Sequence, residues 1–484
     1  MEQLSRHAGL LALSFTFVSL ITISGCTGGE NRGDSVPQAT NVANAANKPA
    51  ELTITGGMPV AASTDWPWWQ GPKLDNKSVA TNVPLTWSDP TNKDDGAEEA
   101  AADSNTDNAG PETGEPKTTK QENIIWKAPV AGRGLSTPCV VGNQIFLTTA
   151  DEEKQTVHML CFARDSGELQ WDCKLHEGGF LHTHKKNSQA SPTAACDGKR
   201  VYVPHLVKQD EQEAIWVSAV DLDGNLVWQK KAGDFRTKHG YGSSPVIYGS
   251  LLIVSGDNGE FGFLIALDRE TGETVWRIER EKKDSFATPT VAHLAGRDQL
   301  LIHGTLLVAS YDPLTGKEIW RCDGPSVSAA NTIVTDDKRV YASGGWPEKF
   351  LLAIRADGSG DVTETHIEWK KRKGICYVPT MLPHNGRLFG VNDDGIASCY
   401  DAETGDKKWM ERLPGNFSAS PVLVGKHLYI PNEAGKMYVI KAADEFEIVA
   451  ENDLGDGGFA TPVILGSRIY LRTDHYLYCI GSSS

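Results

Sequence analysis

Three features of this 484-residue chain predict an all-β fold, an eight-bladed β-propeller of four-stranded antiparallel blades whose last blade is closed by an N-terminal strand. One is a turn-and-tryptophan phrase that recurs along the chain. Another is a short phrase ending in Ser or Thr and then Pro, which returns between the tryptophans. The third is the interval between tryptophans, which stays near 45 residues.

Taken in chain order, residues 1–25 are an address and not part of the fold. Arg6 and His7 give a weakly basic start, and an apolar stretch runs from about Leu10 to Ile23. It is too short, and too interrupted by Ser and Thr, for a spanning helix, and it suits the core of an export signal. It ends in Ile23-Ser24-Gly25-Cys26, which resembles a bacterial lipobox. That resemblance implies a lipoprotein signal peptide over 1–25 and acylation of Cys26, hence a firm membrane anchor. Thr27 stands where an inner-membrane retention signal has Asp, which points to the outer membrane and its periplasmic face.

Residues 26–62, rich in Gly, Asn, Ala and Ser, predict a flexible tether. Residues 63–88 hold Trp66, Trp68 and Trp69 and predict a Trp-rich leader packed on the side of the propeller. If exposed, such a cluster would suggest a partner or sugar site. Residues 89–122 carry ten acids and three bases with almost no apolar side chain. Such a segment cannot offset its ordering entropy by burial, so it predicts a disordered acidic insertion. Its acids match no calcium-loop spacing.

Residues 123–484 are one repeated unit. Ala266-Leu-Asp-Arg-Glu-Thr-Gly-Glu-Thr-Val-Trp276, Ser310-Tyr-Asp-Pro-Leu-Thr-Gly-Lys-Glu-Ile-Trp320 and Cys399-Tyr-Asp-Ala-Glu-Thr-Gly-Asp-Lys-Lys-Trp409 align without gaps. Cys161 to Trp171 and Ala219 to Trp228 are looser copies, and Trp369 ends a degenerate one. In each, two strand-like runs flank a turn in which Asp and Thr can bond the backbone and Gly supplies positive φ. Ser136-Thr-Pro138, Ala190-Ser-Pro192, Ser243-Ser-Pro245, Ala287-Thr-Pro289, Val378-Pro379, Ala419-Ser-Pro421 and Ala460-Thr-Pro462 each lead into an apolar run, a turn and a further β-rich run. Successive tryptophans from Trp126 to Trp409 lie 45, 57, 48, 44, 49 and 40 residues apart. The next unit has no Trp, and its outer strand is expected at Phe446-Glu-Ile-Val449. The last unit, Ala460 to Ile480, supplies three strands, and Ile124-Ile-Trp126 supplies the fourth. Such a split blade removes the open edge of the ring. Trp126, Trp171, Trp228, Trp276, Trp320, Trp369 and Trp409 are expected to dock flat against the neighbouring blade, beside the Gly that leaves room for the ring.

The phrase Ala-x-Asp-x-x-Thr-Gly-x-x-x-Trp, nearly intact at 266–276, resembles the tryptophan-docking motif of the pyrroloquinoline-quinone (PQQ) type of eight-bladed propeller. The resemblance covers about 124–481. That superfamily includes quinoprotein alcohol dehydrogenases and a non-catalytic propeller lipoprotein of the outer-membrane β-barrel assembly machinery. The leader Asp65-Trp-Pro-Trp-Trp-Gln-Gly-Pro72 is similar to one preceding such propellers in planctomycete-type proteins, as are His239-Gly-Tyr-Gly-Ser-Ser-Pro245 and Gly132-Arg-Gly134. The resemblance implies the fold. It does not carry over oxidation chemistry, because the dehydrogenases have an adjacent cysteine pair and a metal-binding Glu, Asn and Asp, and neither is recognisable here. No catalytic residue, metal or PQQ cofactor is therefore assigned.

In a propeller the strand after the Ser/Thr-Pro phrase lies innermost, so the residues just before it crowd around the central channel. This places Arg133, His182, His184, Lys185, Asn187, His239, Tyr241 and Tyr377, together with Asn416 and Phe459, as a funnel for a small anionic or glycan ligand; the alternative is a water-filled channel. His182 and His184 alternate and could face one way, but no third metal ligand is visible. Cys161, Cys399 and Cys479 fill a slot that other repeats give to Ala or Ser, so the cysteines other than Cys26 are expected to be mostly buried free thiols.

The net charge of −16 excludes sequence-independent nucleic-acid binding, and half of it, −8, falls in residues 1–122 (sixteen acids, eight bases). The function expected is a lipid-anchored periplasmic binding or scaffolding module with a protein partner in the cell envelope, acting in envelope or outer-membrane protein assembly. The alternatives are a PQQ-dependent oxidoreductase with an atypical site and a carbohydrate-binding protein.

Overall fold

The computed structural model describes residues 53–89, 91, 121–236 and 238–482. The chain divides into two units, Met1–Glu51 and Leu52–Ser484, and all the described residues belong to the second. The segment expected to be a signal peptide, Cys26, most of the expected tether and nearly all of the expected acidic insertion lie outside them.

The regular structure of the described chain is nearly all strand, with one four-residue helix, Thr363–His366. Eight antiparallel sheets, each built on four strands, form the blades. Blade one runs from Cys139–Val141 to Leu169–Glu177, and blade seven from Val422–Val424 to Ile448–Asp453. Blade eight takes three strands from Val463–Leu465 to Tyr476–Ile480 and its fourth, Ile124–Pro129, from the other end of the chain. The two middle strands of a blade are sandwiched between neighbouring blades. Leu251–Ser255 and Phe263–Asp268 are accordingly buried at every position, whereas the outer strand Leu169–Glu177 alternates.

Each tryptophan stands cross-strand from a small residue: Cys161 from Trp171, Ala219 from Trp228, Ala266 from Trp276, Ser310 from Trp320, Ala353 from Trp369, Cys399 from Trp409 and Cys479 from Trp126. The ring then lies on the turn glycine of the next blade. A Cβ added to Gly167, Gly224, Gly272, Gly316 or Gly405 would sit 2.5–2.8 Å from Trp126, Trp171, Trp228, Trp276 or Trp369, respectively, and all five glycines have positive φ. Contact and backbone conformation together exclude any other residue there. Most indole N–H groups donate to a carbonyl of the same turn, as Trp171 does to Leu222 at 2.9 Å and Trp409 to Ala443 at 2.9 Å. Trp320 departs from this pattern. It is fully buried and donates to Gln299 Oε1 at 2.7 Å, and the Gln299 amide in turn donates to Ala356 of the next blade.

The Ser/Thr-Pro phrases, and Thr332 at the equivalent point of blade five, make a second repeated contact around the axis. The backbone N–H of one blade donates to the hydroxyl of the next along the series Thr137, Thr193, Ser244 and Thr288, and again along Thr332, Thr380, Ser420 and Thr461, at 3.0–3.2 Å. A small hydroxyl residue is needed at this point because the strands converge there.

Blade seven differs from the others. The position facing Val439 is Ala450, not Val449, because the outer strand carries a bulge between its pairs with Val439 and Ile440. In five other blades the tryptophan rests on an aromatic of the second strand (Phe146, Tyr202, Tyr341, Phe389 or Tyr470) at 5.8–6.2 Å. Blade seven has the corresponding Tyr429, and its partner is Trp87 of the leader, stacked at 6.4 Å and 10°. Asn452 holds this segment in place, accepting from Trp87 N at 2.7 Å and donating to Leu85 O at 2.9 Å.

Most of the leader crosses the face formed by the turns between first and second strands, and its end, at Leu85 to Ser88, lies along the outer strand of blade seven on the side of the propeller. Residues 53–62, assigned by composition to the tether, begin this path, with Thr55 and Gly57 bonded to the Gly249-Ser250 turn. Trp66 pairs with Val140, Pro67 O accepts from Cys196 N, and the Trp69 indole donates to Thr332 Oγ1 at the axis, 2.8 Å away. Lys77–Ser78 then adds a parallel strand to Val422–Val424. Asp89, assigned by composition to the insertion, is buried under blade eight. It accepts from Thr91, Gln121 and Tyr478 and pairs with Lys127 at 3.1 Å. Ser88 and Glu122 pair across the neck of the insertion.

Candidate functional site

The face opposite the leader is made by the loops entering each blade and by the turns between second and third strands. Loop 178–190 is turned inward there. His184 N donates to His239 O at 3.1 Å, Asn187 Nδ2 donates to the same carbonyl at 2.9 Å, and the rings of His184 and His239 meet edge-on at 5.8 Å. Burial, and then the charges of His239 and the adjacent lysines, lower the His184 pKa. Arg133 donates to the Lys185 carbonyl and lies 3.7 Å from Glu152.

The predicted funnel is therefore assembled only in part. Arg133, His184, Lys185, Asn187 and His239 come together through these contacts, and His182 is exposed on the same loop. Tyr241 does not reach the mouth. It is 5% exposed, packs on Phe235 and donates its hydroxyl to Ser255 O at 2.8 Å. Tyr377 lies apart in blade six's entry loop, half-buried, with its hydroxyl 3.0 Å from Ser328 Oγ. Asn416 O accepts from Glu433 N.

Residues that carried no signal in the repeats complete the mouth. Lys186 Nζ reaches Glu433 at 2.7 Å and so joins the loop entering blade two to a turn of blade seven, past blades one and eight. Arg472 is 1% exposed and donates to Thr148 O, and burial brings its pKa down to about 10. Burial raises the pKa of the neighbouring Asp474. These groups sit on turns whose sequences do not repeat, so no alignment of the units could single them out.

Lys186 and Glu433 bridge the mouth, while Arg472 Nε and Nη2 are buried without a hydrogen-bond partner. Among the described residues no three His, Cys, Asp or Glu side chains gather closely enough to hold a metal ion. The eight cysteines from Cys139 to Cys479 are buried free thiols, and burial lifts Cys161 and Cys196 to about 12.

The same face carries an apolar cluster. Trp346 is 66% exposed, the one exposed ring among the described Phe, Tyr and Trp residues. With Val327, Phe286 and His239 it lines a cleft of about 370 Å³, and exposed Leu306 follows the cleft residue Thr305. Ser328 and Trp346 are paired through their backbones, which fixes the cleft wall.

Comparison with known proteins supplies the family. The model described as "Outer membrane protein assembly factor BamB" matches residues 117–231, 154–411 and 369–445. The BamB of Moranella endobia is 24% identical over 324 residues, spanning 64% of this chain and 76% of that protein. Among solved structures, BamB from Moraxella catarrhalis superposes with a TM-score of 0.54 at 14% identity, covering 74% of this chain and 99% of that one. The quinohemoprotein alcohol dehydrogenase of Comamonas testosteroni superposes with a TM-score of 0.60 at 13% identity, covering 88% and 82%. At these identities the two structures share the fold with this chain.

Proposed function

Since the chain belongs to the family of the outer membrane protein assembly factor BamB, we propose that it is a scaffolding module in the assembly of outer-membrane proteins. It holds a protein partner on its loop face while a lipid on Cys26 keeps it at the periplasmic side of the outer membrane. The observation that carries this reading is the Trp346 cluster. Large exposed rings are rare on a face with no partner, and aromatic anchors beside a cleft are the usual centre of a protein contact. The leader occupies the other face, which leaves the loop face free to bind.

Photo-crosslinking tests the reading. A photoreactive residue introduced at position 346 in living cells should trap an envelope protein that acts in outer-membrane assembly. The same residue at position 79, exposed on the leader, should not trap it. Equal trapping at both positions, or none at 346, would count against the loop face.

A further inference from the structure

A cavity lies on the opposite face, where the leader leaves blades four to six uncovered. It measures about 640 Å³ and is walled by Met58 and residues 73–75 and 77 of the leader, and by the first turns of those three blades. This is within the size range of small-molecule sites, which pair an apolar lining with a few polar groups. Leu74, Val291, Ile333 and Pro383 supply apolar wall; Lys73, Lys77, Lys338, Arg339 and Arg387 supply charge.

The pairing of these charges leaves a specific surplus. Arg339 is held by Glu368, Arg387 by Asp444 at 2.7 Å, and Lys77 lies 3.4 Å from Asp75. Asp336 is spent on the backbone N–H groups of Lys338 and Arg339 and on the Tyr341 hydroxyl. The Lys73 and Lys338 side chains are exposed and make no hydrogen bond or ion pair, so two ammonium groups, one from the leader and one from blade five, line the same space, against the single exposed carboxylate of Asp337. At the mouth on the loop face, Arg133 and Lys186 already have partners.

The backbone around the cavity is held in a costly conformation. Gln70, Leu74 and Asn76 of the leader have φ of 66°, 56° and 53°. Non-glycine residues persist in this region only when their surroundings fix them, and such positions cluster at ligand clamps. Here they wind the leader so that Lys73 and Lys77 come over the cavity, while Gln70 O accepts from both Asp75 N and Asn76 N.

We propose that this cavity binds a small soluble oligoanion, a polyphosphate or polycarboxylate, between Lys73 of the leader and Lys338 of blade five. The site would bind across the leader and the ring, and it is independent of the partner face.

Calorimetry on the full chain at constant ionic strength tests it, with inorganic pyrophosphate and citrate as probes and sucrose as the uncharged control. The result expected is saturable one-to-one binding of at least one anion. It should weaken about tenfold or more in Lys73→Ala/Lys338→Ala and remain unchanged in Lys186→Ala. Both lysines are exposed, so the double variant keeps the fold, which its far-ultraviolet circular dichroism confirms. The preferred probe distinguishes phosphate from carboxylate. Binding of neither anion, binding undiminished in the double variant, or equal weakening by Lys186→Ala would overturn the proposal.

Discussion

The two faces of the ring are made from the same repeats but are finished in different ways. On one, residues 53–89 lie across the turns of blades one, two, three, seven and eight and reach the axis at Thr332. On the other, the loops carry an exposed tryptophan, engaged charges and a bridged mouth. One face is therefore part of the core, and the other can vary without disturbing it. Blade seven shows the consequence. Ala450 leaves vacant the place where other blades put a tryptophan, and the leader fills it with Trp87.

If that division is right, Trp87→Ala is the most damaging single change considered. It should cost about 3–5 kcal/mol in urea unfolding, the range for emptying a large aromatic site. A loss below about 1 kcal/mol would show that blade seven closes without the leader. Asp89→Asn comes next. Burial acts to raise the Asp89 pKa, but bonds from Thr91, Gln121 and Lys127 outweigh it and hold the pKa down to about 2. The folded value lies below the unfolded value near 3.9, so the stabilisation is complete above pH 4 and is lost as the pH falls through 2. The Asn variant should lose about 2 kcal/mol at neutral pH and show a flatter acid limb between pH 4 and 2. An unchanged acid limb would show that Asp89 does not carry it.

The loop face should respond far less. Lys186→Ala removes a partly exposed pair and should cost at most about 1 kcal/mol. Trp346→Ala should change stability by no more than about 0.5 kcal/mol while abolishing partner trapping by a photoreactive residue placed at position 327 of the same cleft. A large loss of stability at Trp346 would move that ring from the surface into the fold and blur the comparison.

The ring itself is legible in the sequence because its physics repeats. The Gly-x-x-x-Trp turn recurs, since each blade needs a gap for the indole of the previous one, and the Ser/Thr-Pro phrase recurs, since the strands converge on one axis. What does not repeat is not legible. Trp87 lies 342 residues before Tyr429, and nothing local joins them. Asp89 reads as the start of an acidic run because composition cannot show that Lys127 and Tyr478 close over it. The mouth was legible from one side only. The loops before the Ser/Thr-Pro phrases gave Arg133, His184 and His239, while Lys186, Glu433 and Arg472 emerge only once blades far apart in sequence are brought together. Tyr241 sat in a mouth position by sequence but turned inward, because a Phe235 ring and a Ser255 carbonyl were there to receive it.

The proposed role in outer-membrane protein assembly through the loop face is open to direct measurement. The most direct measurement is the amount of folded β-barrel protein, read as heat-modifiable bands on gels of outer membranes, in cells lacking this chain and complemented with variants. The account predicts that barrel content falls without the chain, is restored by the wild type and by Lys73→Ala/Lys338→Ala, and is not restored by a stably folded Val327→Asp/Trp346→Ala variant. Unchanged barrel content in the deleted cells, or full rescue by the loop-face variant, would contradict it.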